Sequence, residues 1–117
     1  MTFSKDGCCG GTYLYNAREN EFSVVSCHGD IVTFFRPRDG MDYWYKLLGL
    51  GAAANLGPHF CACCGQYIII AAYDLCPVCG WEADPVQNCD PDYAGGANKL
   101  SLQQHRQKKV TRHRLSR

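Results

Sequence analysis

Two short cysteine hooks govern what this chain can fold into. Cys61-Ala62-Cys63-Cys64-Gly65 and Cys76-Pro77-Val78-Cys79-Gly80 repeat one pattern, C-x-x-C-G, with ten residues between them. A C-x-x-C turn curls the backbone so that both sulfurs point into one space. The glycine after the hook can take a positive φ, which lets the next amide hydrogens approach the sulfurs. Four thiolates gathered in this way make the closed tetrahedral site of structural zinc, with Cys61, Cys64, Cys76 and Cys79 as ligands. Two disulfides, or a redox-active C-x-x-C, are the competing readings, and neither accounts for the shared trailing glycine. Iron would suit the same four sulfurs. Because four cysteines leave no open coordination position, the metal is expected to organise the fold and not to react.

Size makes such a staple necessary. In 117 residues the hydrophobic fraction is 46%, but nine of those side chains are cysteines, so the conventional core is thin. Small domains short of core commonly use a metal, whose binding free energy of roughly 10–16 kcal/mol becomes folding free energy. The start, Met1-Thr2-Phe3-Ser4-Lys5-Asp6, has no apolar leader, and no run approaches the roughly 20 apolar residues that cross a bilayer. Many cysteines without a leader, in an odd number, imply a reducing compartment. A cytoplasmic protein with no membrane contact is therefore expected.

Charge divides the chain sharply. Residues 1–98 carry all eleven acids and five basic residues, about −6; residues 99–117 carry seven basic residues and no acid, +7. A basic tail can touch nucleic acid or an acidic partner, or simply stay solvated.

The hydrophobic pattern predicts a small, metal-stapled α+β chain. Residues 1–10 read as a disordered lead containing the vicinal Cys8-Cys9, a poor chelate because neighbours in an extended chain point apart. Residues 11–48 read as an antiparallel β-meander, with strands over Thr12–Tyr15, Glu21–Ser26 and Asp30–Phe35, then a short helix over Asp42–Leu48. Residues 49–58, small and glycine-rich, read as a linker. Residues 59–106 form the zinc-ribbon-like module, with a strand over Tyr67–Tyr73 between the hooks. Ser101 with Gln104 makes a capping box that starts a C-terminal helix at Leu102. Residues 107–117 form a basic tail whose two apolar residues, Val110 and Leu115, are too few to hold a helix on a core, so its last turns are expected to fray.

The stretch from Cys61 to Arg106 resembles the bacterial cysteine-rich CPCC family. The likeness lies in the first hook and in Cys76-Pro77-Val78-Cys79 with Trp81-Glu82. It extends at matching spacing through Asp84-Pro85-Val86-Gln87, Asp90-Pro91-Asp92-Tyr93, Gly95-Gly96-Ala97-Asn98 and Ser101-Leu102. Ala62 stands in place of the family's usual proline, Gly80 in place of an aromatic, and His105 where a small residue is common. The resemblance implies a partner role, since several members look like partners of toxins in polymorphic toxin–immunity loci. A weaker likeness links residues 11–48 to the C-terminal end of polymorphic toxin domains. On that likeness His28, Thr33 and Arg36 would lie near catalytic positions. Most of such a domain would be missing, and no base, nucleophile and phosphate clamp can be assembled, so no enzymatic activity is expected.

Several residues carry two readings. Cys63 is either a substitute ligand or a neighbour of the metal sphere. His59, two residues before Cys61, is the histidine placed to reach the zinc or hydrogen-bond to its ligands. Cys27 reads as a half-buried thiol and Cys89 as a free one. Trp81 with Tyr67 and Tyr73 is either a stacking face for bases or the ribbon's own core. Glu82, Asp84 and Asp92 are candidate partner-binding acids, suited to the basic groove of a nuclease toxin. Three functions compete: an immunity-type partner of a toxin domain, a nucleic-acid-binding ribbon using the basic tail, and a remnant ribonuclease-like fragment fused to a CPCC module. Oligomeric state is not legible.

Overall fold

The computed structural model describes residues 2–6, 11–54 and 57–115, with side chains undescribed at residue 52 and over 109–115. Four antiparallel strands lie in chain order: β1 (Thr2–Asp6), β2 (Thr12–Asn16), β3 (Glu21–Val25) and β4 (Ile31–Phe35). The meander has the expected strands, plus one at its start. Residues 2–6, read as part of a disordered lead, pair with β2 from Thr2↔Asn16 to Asp6↔Thr12. That pairing places Phe3 opposite Tyr15, so the edge strand closes over the aromatic core. Cys8 and Cys9 lie outside the described residues.

Strands β2 and β3 alternate between inward and outward side chains, as a half-buried sheet requires. Tyr13, Tyr15, Phe22 and Val24 point inward. Helix α1 (Met41–Gly49) covers that face with Tyr43, Trp44 and Leu47, one stripe of a 3.6-residue period. A 3₁₀ turn, Gly51–Ala54, comes next, within the segment read as a linker. Its Ala54 is buried and accepts a hydrogen bond from the Tyr13 hydroxyl at 2.9 Å.

Beyond it, β5 (His59–Phe60) pairs with β6 (Ile68–Ile69), each only two residues long. The strand expected over Tyr67–Tyr73 is thus cut short. At Tyr73 the chain turns with φ +66°, which no strand residue adopts, and the ring leaves the ribbon for the sheet's core. There it contacts Tyr13, Phe22 and Phe35 at centroid distances of 5.3, 5.3 and 6.4 Å. Val86 and Tyr93 join the same cluster. The larger core therefore draws on both sides of residues 49–58.

Helix α2 (Pro85–Cys89) is short, and α3 runs from Leu102 to Leu115. The capping box is present: Ser101 N donates to Gln104 Oε1 at 2.9 Å, and Gln104 N to Ser101 Oγ at 3.2 Å. The last turns, expected to fray, continue as helix through Thr111 to Leu115. No helix among the described residues is long and apolar enough to cross a membrane.

Candidate metal centre

The two hooks adopt one backbone design. Gly65 and Gly80 have φ of +67° and +81°, and each donates its amide to the first cysteine of its hook: Gly65 N to Cys61 O at 2.9 Å, Gly80 N to Cys76 O at 2.8 Å. A Cβ at either glycine would meet nothing within 4 Å, so the requirement is conformational and not steric. Amide hydrogens then converge on sulfur. The amides of Cys63 and Cys64 face the Cys61 thiol, those of Val78 and Cys79 face the Cys76 thiol, and Trp81 faces Cys79. Gln66 N lies 3.5 Å from Cys64 Sγ. The second cysteine of each hook is thus served by the residue two positions on.

This design brings all four predicted ligands together. The sulfurs of Cys61, Cys64, Cys76 and Cys79 lie within 4.8 Å of one another. Cys61 Sγ is 3.6 Å from Cys79 Sγ, and Cys64 Sγ is 3.7 Å from Cys76 Sγ. A tetrahedral ion with bonds of about 2.3 Å to sulfur sets its ligands about 3.8 Å apart, so the cluster has the right size. A disulfide, at about 2.05 Å, does not describe these pairs. Each close pair also joins one cysteine from each hook, so the hooks clasp one another.

The electrostatics fit a cation. Burial pushes the Cys61 and Cys79 thiols up. Burial also acts against Cys76, yet the Cys79 and Val78 amides and the neighbouring sulfurs outweigh it and bring that thiol down. A divalent ion held by the four sulfurs would supply positive charge that favours the thiolate forms, and its binding would be coupled to folding. Around them the second core is small, with Ile69, Trp81, Ala83 and Leu102 as its buried residues besides the cysteines.

The continuation of the chain builds a polar staple. Asp84 caps α2, accepting from Val86 N at 2.9 Å and Gln87 N at 3.4 Å, with Pro85 at the first helical position. Its other oxygen accepts from Ala97 N at 2.9 Å. Gln87, fully buried, donates from Nε2 to the carbonyls of Tyr93, Asn98 and Leu100 and accepts at Oε1 from the Asn98 amide and side chain. This network folds 84–100 back onto itself and onto the Glu82 backbone. Its sequence signal is the Asp84-Pro85 step, which marks a capped helix start.

Residues 59–111 match the family model described as cysteine-rich CPCC. Within the matched residues the Asp84–Gln87 turn and the Gly95–Asn98 loop are hydrogen-bonded to one another and to Glu82, just past the second hook. No curated protein matches the chain.

Other sequence-predicted residues are placed differently. Asp84 is wholly buried, so it is a cap and not a partner-binding acid; burial pushes its carboxyl up to about 6. Glu82 is partly buried and accepts from the Thr33 hydroxyl at 2.7 Å, while Asp92 is exposed. The three acids therefore form no common surface. Trp81 and Tyr73 are each 1% exposed, so they belong to the core and no base-stacking face includes them. His59 donates from Nδ1 to Gly57 O at 2.8 Å and joins neither cluster of metal-capable side chains. Cys27, expected half-buried, is exposed, as is Cys89.

The histidine beside the centre is His105. Its Nδ1 lies 3.2 Å from Cys63 Sγ, and its ring meets Trp81 edge-on at 5.2 Å. Its neighbour Arg106 donates from Nε to Ala62 O at 3.0 Å, with Nη2 donating to the same oxygen. Helix α3 is therefore pinned to the first hook by two consecutive residues, and one tail cation is committed to backbone.

Proposed function

We propose that this chain is a zinc-stapled protein-interaction module acting as an immunity-type partner of a bacterial toxin domain. One observation carries the interaction reading. Phe60 and Ile68 are paired across β5 and β6, and Ile70 comes two residues after Ile68, so all three share the face opposite the buried Ile69. They are 64%, 51% and 61% exposed, and Leu75 and Val78 beside the second hook are exposed as well. A small ribbon that leaves so much large apolar surface in water suits a protein partner. The closed four-thiolate centre supports zinc in a purely structural role, holding the ribbon rigid. The toxin as partner rests on the resemblance of the CPCC segment to members with that role. The nucleic-acid reading loses Trp81 and Tyr73 to the core and keeps the exposed Tyr67 and the tail.

Two measurements test the proposal. Metal analysis of protein purified under reducing conditions should find zinc, with one ion resisting a mild chelator; Cys64→Ser should lose that ion. Co-expression with the C-terminal toxin domain of a polymorphic toxin, taken from the same locus where one is encoded there, should rescue growth and co-purify the pair. Ile68→Asp with Ile70→Asp should abolish co-purification without unfolding the ribbon, since both side chains already face water. Failure to co-purify, together with tight salt-dependent nucleic-acid binding lost on removing residues 107–117, would overturn the partner reading.

A further inference from the structure

Beside the four-thiolate centre stands a second group that shares one of its cysteines. Cys63, Cys79 and His105 bring two sulfurs and an imidazole nitrogen within 4.8 Å of one another. We infer that these three residues hold a second divalent ion of the zinc class, with Cys79 bridging it to the first.

The distances suit the chemistry. An ion bonded at about 2.3 Å to sulfur and about 2.0–2.1 Å to nitrogen sets the two donors about 3.5 Å apart in tetrahedral geometry. Cys63 Sγ and His105 Nδ1 stand 3.2 Å apart, so a widening of a few tenths of an ångström admits the metal. Thiolate and imidazole are the donors that zinc-class ions take. A thiolate sulfur bound to one ion retains lone pairs for another, so Cys79 can serve both.

Both new ligands are also held in place before any ion arrives. Cys63 sits inside the first hook, whose Ala62 carbonyl Arg106 grips. His105 lies in the first turn of α3, whose start the Ser101–Gln104 box fixes, and its ring rests edge-on against buried Trp81. Pre-placed ligands lower the ordering cost of coordination. Two of these three ligands, Cys63 and His105, are half-buried, against one of four, Cys64, in the first centre. Three protein ligands leave a fourth place for water or an external donor, and the second ion is accordingly the weaker and more exchangeable of the two.

The inference rests on the four-thiolate reading through Cys79, and metal stoichiometry separates the two. Full-length protein, purified with its metal and kept reduced without thiols, is titrated with zinc and, in parallel, with cobalt(II). Native mass spectrometry counts the ions, and thiolate-to-cobalt absorption reports their ligands. The wild type should bind a tight ion and then a weaker second one. His105→Ala and His105→Gln should weaken the second by about 100-fold or more, while the first ion and the far-UV circular dichroism stay unchanged; Cys63→Ser should do the same. Saturation of the wild type at one ion, or two ions in both His105 variants, would overturn the second position and leave the first intact. Failure to bind any ion would overturn both.

Discussion

Tyr73 belongs to the half of the chain that carries the cysteine hooks but fills the core of the sheet, and its removal should separate the two. The ring is 1% exposed and packs among Tyr13, Phe22 and Phe35, while its hydroxyl lies 2.7 Å from that of Tyr43. Either hydroxyl can donate to the other. Truncating a large buried aromatic to alanine costs about 3–5 kcal/mol. A domain of this size has roughly 5–15 kcal/mol of stability, so Tyr73→Ala removes a large share of it. Tyr73→Phe keeps the ring and loses one hydrogen bond, about 1 kcal/mol. Tyr73→Gly should be no worse than alanine, because glycine relieves the φ of +66° that alanine must still adopt. The assay is urea unfolding of the reduced, cobalt-loaded protein, monitored by far-UV circular dichroism and by thiolate-to-cobalt absorption. In the wild type the two signals should fall together. In Tyr73→Ala the circular dichroism midpoint should drop by roughly 2 M, given slopes of about 1–3 kcal/mol per molar urea, and the cobalt signal should outlast it. A cost below about 1 kcal/mol, or transitions that still coincide, would refute the view that this ring couples the halves.

Single contacts give three further outcomes. Burial lifts the Asp84 carboxyl from 3.8 to about 6, so the folded state binds more protons between those values; the stabilisation, about 3 kcal/mol, is complete below pH 3.8 and lost as pH rises through 6. With metal saturating, raising pH from 5 to 7.5 should therefore cost the wild type about 1 kcal/mol more than Asp84→Asn in urea unfolding; parallel profiles would count against it. Gly96→Ala should cost about 1–3 kcal/mol and lower Tm by several degrees, because its Cβ would stand 2.5 Å from Asp84 Oδ2 and 3.0 Å from Tyr43 Cε2; an unchanged melt would mean the loop can shift. Pure protein should not cleave RNA. Thr33 is engaged by Glu82, Arg36 by Glu21 at 3.0 Å, and His28 sits in the exposed turn before β4, so cleavage that vanished with His28→Ala would contradict this.

The features legible without the fold are those that a few neighbouring residues decide among themselves. The C-x-x-C-G repeats announce which four sulfurs cluster because a short turn and a positive-φ glycine aim sulfurs and amides locally. Strands β2 and β3 come from alternation, β4 from a run of β-branched and aromatic residues, and the start of α3 from a capping box between Ser101 and Gln104. Contacts between distant segments are invisible at that level. His105 reaches Cys63 across 42 residues, and nothing in either neighbourhood favours His105 over His59. The Asp84 carboxylate looks like surface charge until Ala97 and the α2 amides surround it, because burial is a property of the packed chain. Tyr73 has the composition of a strand residue, yet the aromatic core pulls it into a left-handed turn, and only packing supplies free energy enough to hold it there.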